Sequence, residues 1–211
     1  SLGTGSSGVI GNYTSGNSGK LHRYAGGIWD HLIAASGGKY RQIGNLSVGG
    51  KTAVQIESEQ LPSALTSDAD IVPFFAGAND LGNLSPDSDH TTMLQACERI
   101  IIALLNAGKL PVFGCCPPKN SAGGTFRKNL PLCQMLAQYY KIPFIDFYTP
   151  LVDPATGDMV SGYDDDGVHL SKTGLQRVLD TCATRFADLG NAGAGAYLAP
   201  VAETVSTNWW Q

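Results

Sequence analysis

The sequence predicts an α/β fold, a parallel sheet layered between helices. Short apolar runs of strand length alternate along the chain with segments whose apolar residues recur at helical spacing. Their order is strand, helix, strand, helix, and repeated β-α units of this kind pair in parallel with helices on both faces. A length of 211 residues gives one domain with a substantial core. In such sheets ligands gather at the carboxyl ends of the strands, so the loops that follow strands are where chemistry is expected.

The elements follow in order. Residues 1–19 hold six Gly and five Ser, too little apolar surface to offset the entropy of ordering, and 1–26 reads as a loop. Ile28, Trp29, Leu32 and Ile33 share a helical face that ends at Gly37-Gly38, a C-cap pair. Residues 40–46 read as a strand and 53–61 as a short helix. The run 71–76, Ile-Val-Pro-Phe-Phe-Ala, has the length of a buried strand, although Pro73 is unusual inside one. Met93, Leu94, Cys97, Ile101, Leu104 and Leu105 form a helical stripe stopped by Gly108, and 110–116 is the next strand. A helix over 130–140, a strand over 142–147, a turn-rich loop and a last helix from Ser171 complete the pattern. That last helix carries Leu175, Val178, Leu179, Cys182 and Phe186 on one stripe. The domain is expected to span 1–190, with 191–211 as a C-terminal tail.

Composition narrows the function classes. With 43% hydrophobic and 15% charged residues and a formal net charge of -4, the chain has no Lys/Arg cluster for phosphate backbones or anionic lipid. Nucleic acid is therefore not an expected partner. The longest apolar runs fall far below the roughly 20 residues that span a bilayer, and no signal peptide is visible, although processing would have removed one. Cys97, Cys115, Cys116, Cys133 and Cys182 lie inside apolar segments, not at disulfide or zinc spacing, and read as buried free thiols. Vicinal Cys115-Cys116 could be redox-active, but a core role suits the end of a strand better.

Three segments carry chemistry. The first is Asp166-Gly167-Val168-His169-Leu170-Ser171, directly before the last helix. A carboxylate three residues before an imidazole, across a turn, can accept the Nδ1 proton and leave Nε2 for proton transfer. Taken alone, the same residues also describe an acidic, solvated turn capping a helix. The second is Gly77-Ala78-Asn79-Asp80, after the 71–76 strand, where an Asn side-chain amide can face a developing oxyanion; it is also an ordinary turn. The third is Asn45-Leu46-Ser47-Val48-Gly49-Gly50, whose glycines could offer a backbone N–H, and which alone is a plain turn.

Together, in this order, the segments resemble the conserved blocks of the SGNH (GDSL-like) hydrolases, with DGVHLS and GAND as the specific part. The resemblance implies a three-layer α/β/α fold with a flavodoxin-like sheet of about five strands. It implies a serine esterase with a Ser-His-Asp triad, His169 as general base and Asp166 as its orienting carboxylate. The oxyanion hole would be the backbone N–H groups of the nucleophile and Gly50, with the Asn79 side chain as third donor, and no cofactor or metal is required. Family members deacetylate carbohydrates, hydrolyse lipids or cleave thioesters. The absence of a long apolar insertion favours small acyl, above all O-acetyl, groups on a polysaccharide over a lipase or thioesterase.

The match departs at the first block, since no Gly-Asp-Ser occurs in the chain. Ser1-Leu2-Gly3-Thr4-Gly5 resembles the remainder of that block cut before its serine, which makes Ser1 the first candidate nucleophile and oxyanion donor. The first strand is then missing, or supplied from outside by an upstream segment or separate chain. Ser15 and Ser18 are weaker candidates. If residues 9–13 occupy the block instead, Tyr13 stands where Ser belongs and the domain is an inactive carbohydrate-binding or tail structural domain.

Other readings compete. Asp164, Asp165, Asp166 and His169 could hold a hard divalent ion, though adjacent Asp residues cannot all point inward from one turn. His22, His31 and His90 have no local partner pattern. The tail ends in Trp209-Trp210, an indole pair suited to a partner surface or to packing back on the domain. An acylated carbohydrate substrate, a homo-oligomer, and an extracellular or virion-associated setting such as a phage tail are the accompanying expectations, with a cytoplasmic setting as the alternative.

Overall fold

The computed structural model describes residues 2–3, 28–41, 43–81, 90–121, 125–187 and 189, with the backbone alone for 2, 3 and 29–31. In chain order the elements are β1 (Leu2–Gly3), α1 (Ile28–Ala35), α2 (Ala53–Glu59), α3 (Leu61–Thr66), β2 (Ile71–Ala76), α4 (Ala78–Leu81), α5 (His90–Asn106), β3 (Leu110–Cys115), α6 (Thr125–Tyr139), β4 (Phe144–Ile145) and α7 (Lys172–Ala187). The strands form one parallel sheet in the order β1-β2-β3-β4. This is the α/β architecture the alternating pattern predicts.

β2 and β3 are the centre of the sheet, paired along all six residues from Ile71↔Leu110 to Ala76↔Cys115. Both are apolar because helices cover both faces: β3 is buried throughout and β2 at every residue after Ile71. Phe74 stacks on Phe113 with ring centroids 4.9 Å apart, and Phe75 meets Phe147 edge-on at 5.6 Å. Pro73 is tolerated for a geometric reason. The Leu110 N–H donates to the Asp70 carbonyl, so alternate residues of β2 face β3 and Pro73 faces the other edge, where no β3 hydrogen bond is lost.

The helix ends follow local chemistry. Gly37 and Gly38 have φ of +67° and +85° at the end of α1, the left-handed turn a C-cap glycine permits. α2 starts with a capping box, in which the Thr52 side chain accepts from the Gln55 N–H and the Gln55 side chain accepts from the Thr52 N–H. Ser171 caps α7 by accepting from the Gly174 N–H at 3.1 Å. All five cysteines are buried and free, and burial pushes each thiol up from its ordinary range.

Four expectations need correction. Residues 40–41 and 43–47 form no strand, since among the described residues no ladder partner lies beside them; Ile43 is 49% exposed. α6 begins at Thr125 and runs through Pro131, held by the burial of Thr125, Phe126 and Asn129. β4 is only two residues because the Asp146 carboxylate accepts from the Tyr148 and Thr149 N–H groups, both at 2.9 Å, and turns the chain. Finally, the place beside β2 is not filled only from outside: Leu2 and Gly3 pair there with Phe74 and Phe75.

Candidate active site

The carboxyl ends of β2 and β3 lie side by side at Ala76↔Cys115, and the segments leaving them carry Asn79 and Asn120. After β2 comes Gly77, with φ of +117° and no room for a side chain: a Cβ would lie 3.1 Å from both Cys116 Sγ and Met93 Sδ. The chain turns there into α4, which holds Asn79 and Asp80.

Asn79 and the Gly50 loop are joined directly. Asn79 Nδ2 donates to the Lys51 carbonyl at 3.1 Å, one residue after Gly50, which adopts φ of +77° in its turn. A primary amide carries two N–H donors, so this bond orients the group with one hydrogen and leaves a second to point elsewhere. Asp80 completes the junction by accepting from the Ala53 N–H at 2.9 Å, at the start of α2, and from the Gly77 N–H at 3.2 Å. Burial holds its carboxyl above the usual carboxylate range despite these backbone donors.

The second cluster is the turn before α7. Asp166 Oδ2 lies 2.8 Å from His169 Nδ1 and Oδ1 lies 3.1 Å from it, while Oδ1 also accepts the backbone N–H of His169 at 2.9 Å and of Val168 at 3.1 Å. Main-chain and side-chain bonds therefore fix the carboxylate and ring together. Gly167, at φ of +83°, makes the tight turn between them. Such a carboxylate selects the tautomer with hydrogen on Nδ1 and leaves Nε2 as the atom for proton transfer.

The loop after β3 braces this turn. The Asn120 N–H donates to the Gly167 carbonyl at 2.8 Å, Asn120 Nδ2 to Asp164 Oδ2 at 3.2 Å, and Asn120 Oδ1 accepts from the Met159 N–H at 2.8 Å. Asp164 in turn accepts from the Gly167 N–H. The three consecutive aspartates thus diverge: Asp164 braces the turn, Asp166 faces His169, and the Asp165 N–H donates to the His169 carbonyl at 2.9 Å. Among the described residues no three His, Cys, Asp or Glu side chains gather as a metal site.

Of the residues singled out from sequence, Asp166 and His169 are in contact, and Asn79 and the Gly50 loop are tied through Lys51. Ser1, Ser15, Ser18, Tyr13, His22 and the tail with Trp209 and Trp210 lie outside the described residues. Asp80 and Asn120 were not anticipated as site residues. Asp80 had a signal, its place in the GAND segment; Asn120 had only its position after β3.

Comparison with known proteins bears on the family and the fold. A sequence model of the GDSL-like lipase/acylhydrolase family matches residues 6–177. Among curated proteins no sequence matches the chain. Solved structures with the same fold include a lipolytic protein of the G-D-S-L family from Veillonella parvula (16% identity, 89% of this chain and 96% of that one, TM-score 0.65). They also include a GDSL-like lipase from Bacteroides thetaiotaomicron (15% identity, 80% and 84%, TM-score 0.60). A third is an acetylxylan esterase, Axe2, from Geobacillus stearothermophilus (14% identity, 88% and 91%, TM-score 0.62). With the family model covering most of its length, the chain belongs to the GDSL-like lipase/acylhydrolase family.

Proposed function

We propose that the protein is a serine esterase that removes small acyl groups, O-acetyl above all, from a polysaccharide. Membership in an acylhydrolase family supports ester hydrolysis as the reaction class. The observation that carries the finer reading is the Asp166–His169 pair, braced from the β3 loop through Asn120 and set at the sheet edge that also carries Asn79.

In this mechanism a serine hydroxyl attacks the ester carbonyl carbon while His169 Nε2 takes its proton. The tetrahedral oxyanion is held by the Asn79 amide and by backbone N–H groups of the nucleophile and Gly50. Collapse expels the alcohol, which takes the proton back from His169, and leaves an acyl-serine. Water then attacks the acyl carbon, again with His169 as base, and releases the carboxylic acid and the free serine. Asp166 stabilises the imidazolium formed in each half.

The nucleophile belongs to the N-terminal segment. Ser1 is the candidate from sequence, and the direction of β1 adds Ser6 and Ser7, which follow Gly3, the end of that strand nearer the site loops. The reading of an acetyl substrate is supported by the acetylxylan esterase among the structural relatives and by the absence of any long apolar insertion.

Labelling with a fluorophosphonate, followed by peptide mapping, tests this reading, because only an activated serine reacts. Modification at Ser1, Ser6 or Ser7 is expected, and absence of labelling in a folded protein that still binds acetylated saccharide would replace the esterase with an inactive binder. On 4-nitrophenyl esters, turnover should fall from acetate to octanoate; a rise with chain length would indicate a lipase.

A further inference from the structure

Asn129 is a polar side chain at a position that packing alone would fill with an apolar one. It lies on the buried face of α6 with Phe126 and Cys133 and is 1% exposed. Its Nδ2 donates to Cys116 Sγ at 3.7 Å, and its Oδ1 accepts from Cys133 Sγ at 3.5 Å. Among the described residues these two sulfurs are the hydrogen-bond partners of its side chain. Sulfur is a weak donor and a weak acceptor. The two bonds therefore return little of the hydration that a buried primary amide gives up. A leucine, similar in outline, would suit this interior better, so the stability of the fold does not account for the amide.

What the amide faces is the turn that carries Asn79. A Cβ on Gly77 would lie 3.1 Å from Cys116 Sγ, 3.1 Å from Met93 Sδ and 3.3 Å from Asn129 Nδ2. Three side chains, from α5, from the residue after β3 and from α6, thus close on the open face of Gly77, where φ is +117°. The backbone of Gly77 in turn fixes α4. Its N–H donates to Asp80 Oδ2 at 3.2 Å, and its carbonyl accepts the Leu81 N–H at 2.8 Å. Asn79 stands within this turn, with Nδ2 on the Lys51 carbonyl at 3.1 Å.

We propose that Asn129 is a positioning residue for the oxyanion hole: it holds the end of β3 and its own Nδ2 against Gly77, and through that turn it fixes where the Asn79 amide points. The inference rests on the reading of Asn79 as an oxyanion donor. Met93 could fill the same space, but a thioether is soft and adaptable. The amide is planar and bonded on both sides, to Cys133 on its own helix and to Cys116 at the end of β3, which holds it in one orientation. An oxyanion donor acts only at the right distance and angle, so rate senses a small displacement of the turn that stability hardly registers.

The test replaces Asn129 by Leu, alone and together with Asn79→Ala. It follows thermal melting, kcat and KM on 4-nitrophenyl acetate, and the nuclear magnetic resonances of the Asn79 side-chain amide. Asn129→Leu should melt within about 3 °C of wild type or above it, yet lose about tenfold in kcat with KM changed by less than about twofold. Asn79→Ala should lose about a hundredfold in kcat. Adding Asn129→Leu to Asn79→Ala should lower kcat by less than about twofold more, because the amide it acts through is already gone. The Asn79 amide resonances should shift in Asn129→Leu. Should that variant not fold, Asn129→Ala carries the same cycle at temperatures below its own Tm. Wild-type kcat in a folded Asn129 variant, losses that multiply fully in the double variant, or unmoved Asn79 resonances would each overturn the proposal. A wild-type protein without ester turnover would instead refute the esterase reading, and the Asn79 resonances would then decide by themselves whether Asn129 positions that amide.

Discussion

Gly174 offers a sharp test of how the fold holds the Asp166–His169 turn. It is the third residue of α7, and a Cβ there would sit 2.1 Å from the Tyr163 carbonyl oxygen and 3.0 Å from its carbon. Reaching ordinary contact at 3.4 Å requires an opening of about 1.3 Å between backbone and backbone, with no flexible side chain to yield. Tyr163 leads into the Asp164↔Leu170 bridge that encloses Asp166 and His169, and its carbonyl also accepts the Ser171 N–H at 2.9 Å. Helix propensity alone would favour Gly174→Ala by about 1 kcal/mol. Overpacking a tight site costs about 1–3 kcal/mol, and a backbone clash this close belongs at the upper end. The net loss is then about 1–2 kcal/mol, a fall in Tm of roughly 2–8 °C for a chain of this size. If His169 is the general base, as proposed, moving it by about 1 Å can cost a hundredfold in rate. Circular-dichroism melts together with kcat/KM on 4-nitrophenyl acetate measure both. A higher Tm with unchanged kcat/KM would show propensity winning, and would refute the claim that α7 sets the position of the turn.

Asn120→Ala removes the two side-chain hydrogen bonds that brace the turn, to Asp164 and from the Met159 N–H, and keeps the backbone bond to Gly167; it should cost about 1–3 kcal/mol in urea unfolding and lower kcat more than it raises KM. Asn120→Asp should be worse, because it sets a second carboxylate against Asp164, and retention of full kcat in both variants would remove Asn120 from the account. Burial raises the Asp80 carboxyl above 3.8 in the folded protein, so the folded state holds this proton more tightly than the unfolded chain. Its contribution therefore declines as pH rises through the interval from 3.8 to the raised value. Across that interval the urea midpoint of wild type, relative to Asp80→Asn, should fall with increasing pH; a relative rise would contradict the burial argument.

What the sequence made legible depended on range. The Asp166–His169 pair could be read because its chemistry is local, three residues across one turn, and the same holds for the Thr52–Gln55 capping box. β2, α5, β3 and α7 were visible because burial on one stripe or on both faces imposes a period on the sequence. Residues 40–41 and 43–46 have strand-like composition yet form none, because a strand is made by its partner and, among the described residues, the pairing beside β2 covers two residues. Asn120 was hidden for the same reason at longer range: its side chain meets Asp164 across 44 positions, and nothing in the local pattern marks that contact. Asp80 likewise acts 27 positions away, on the first turn of α2.

The central claim is that His169, oriented by Asp166, is the base for an activated serine. Kinetics of His169→Ala and Asp166→Asn on 4-nitrophenyl acetate, with matched melting curves, address it most directly. Both variants should remain folded, with kcat reduced by about 10⁴-fold for Asp166→Asn and at least as much for His169→Ala. Fluorophosphonate labelling should fall in step. Turnover within tenfold of wild type in either folded variant would contradict the account.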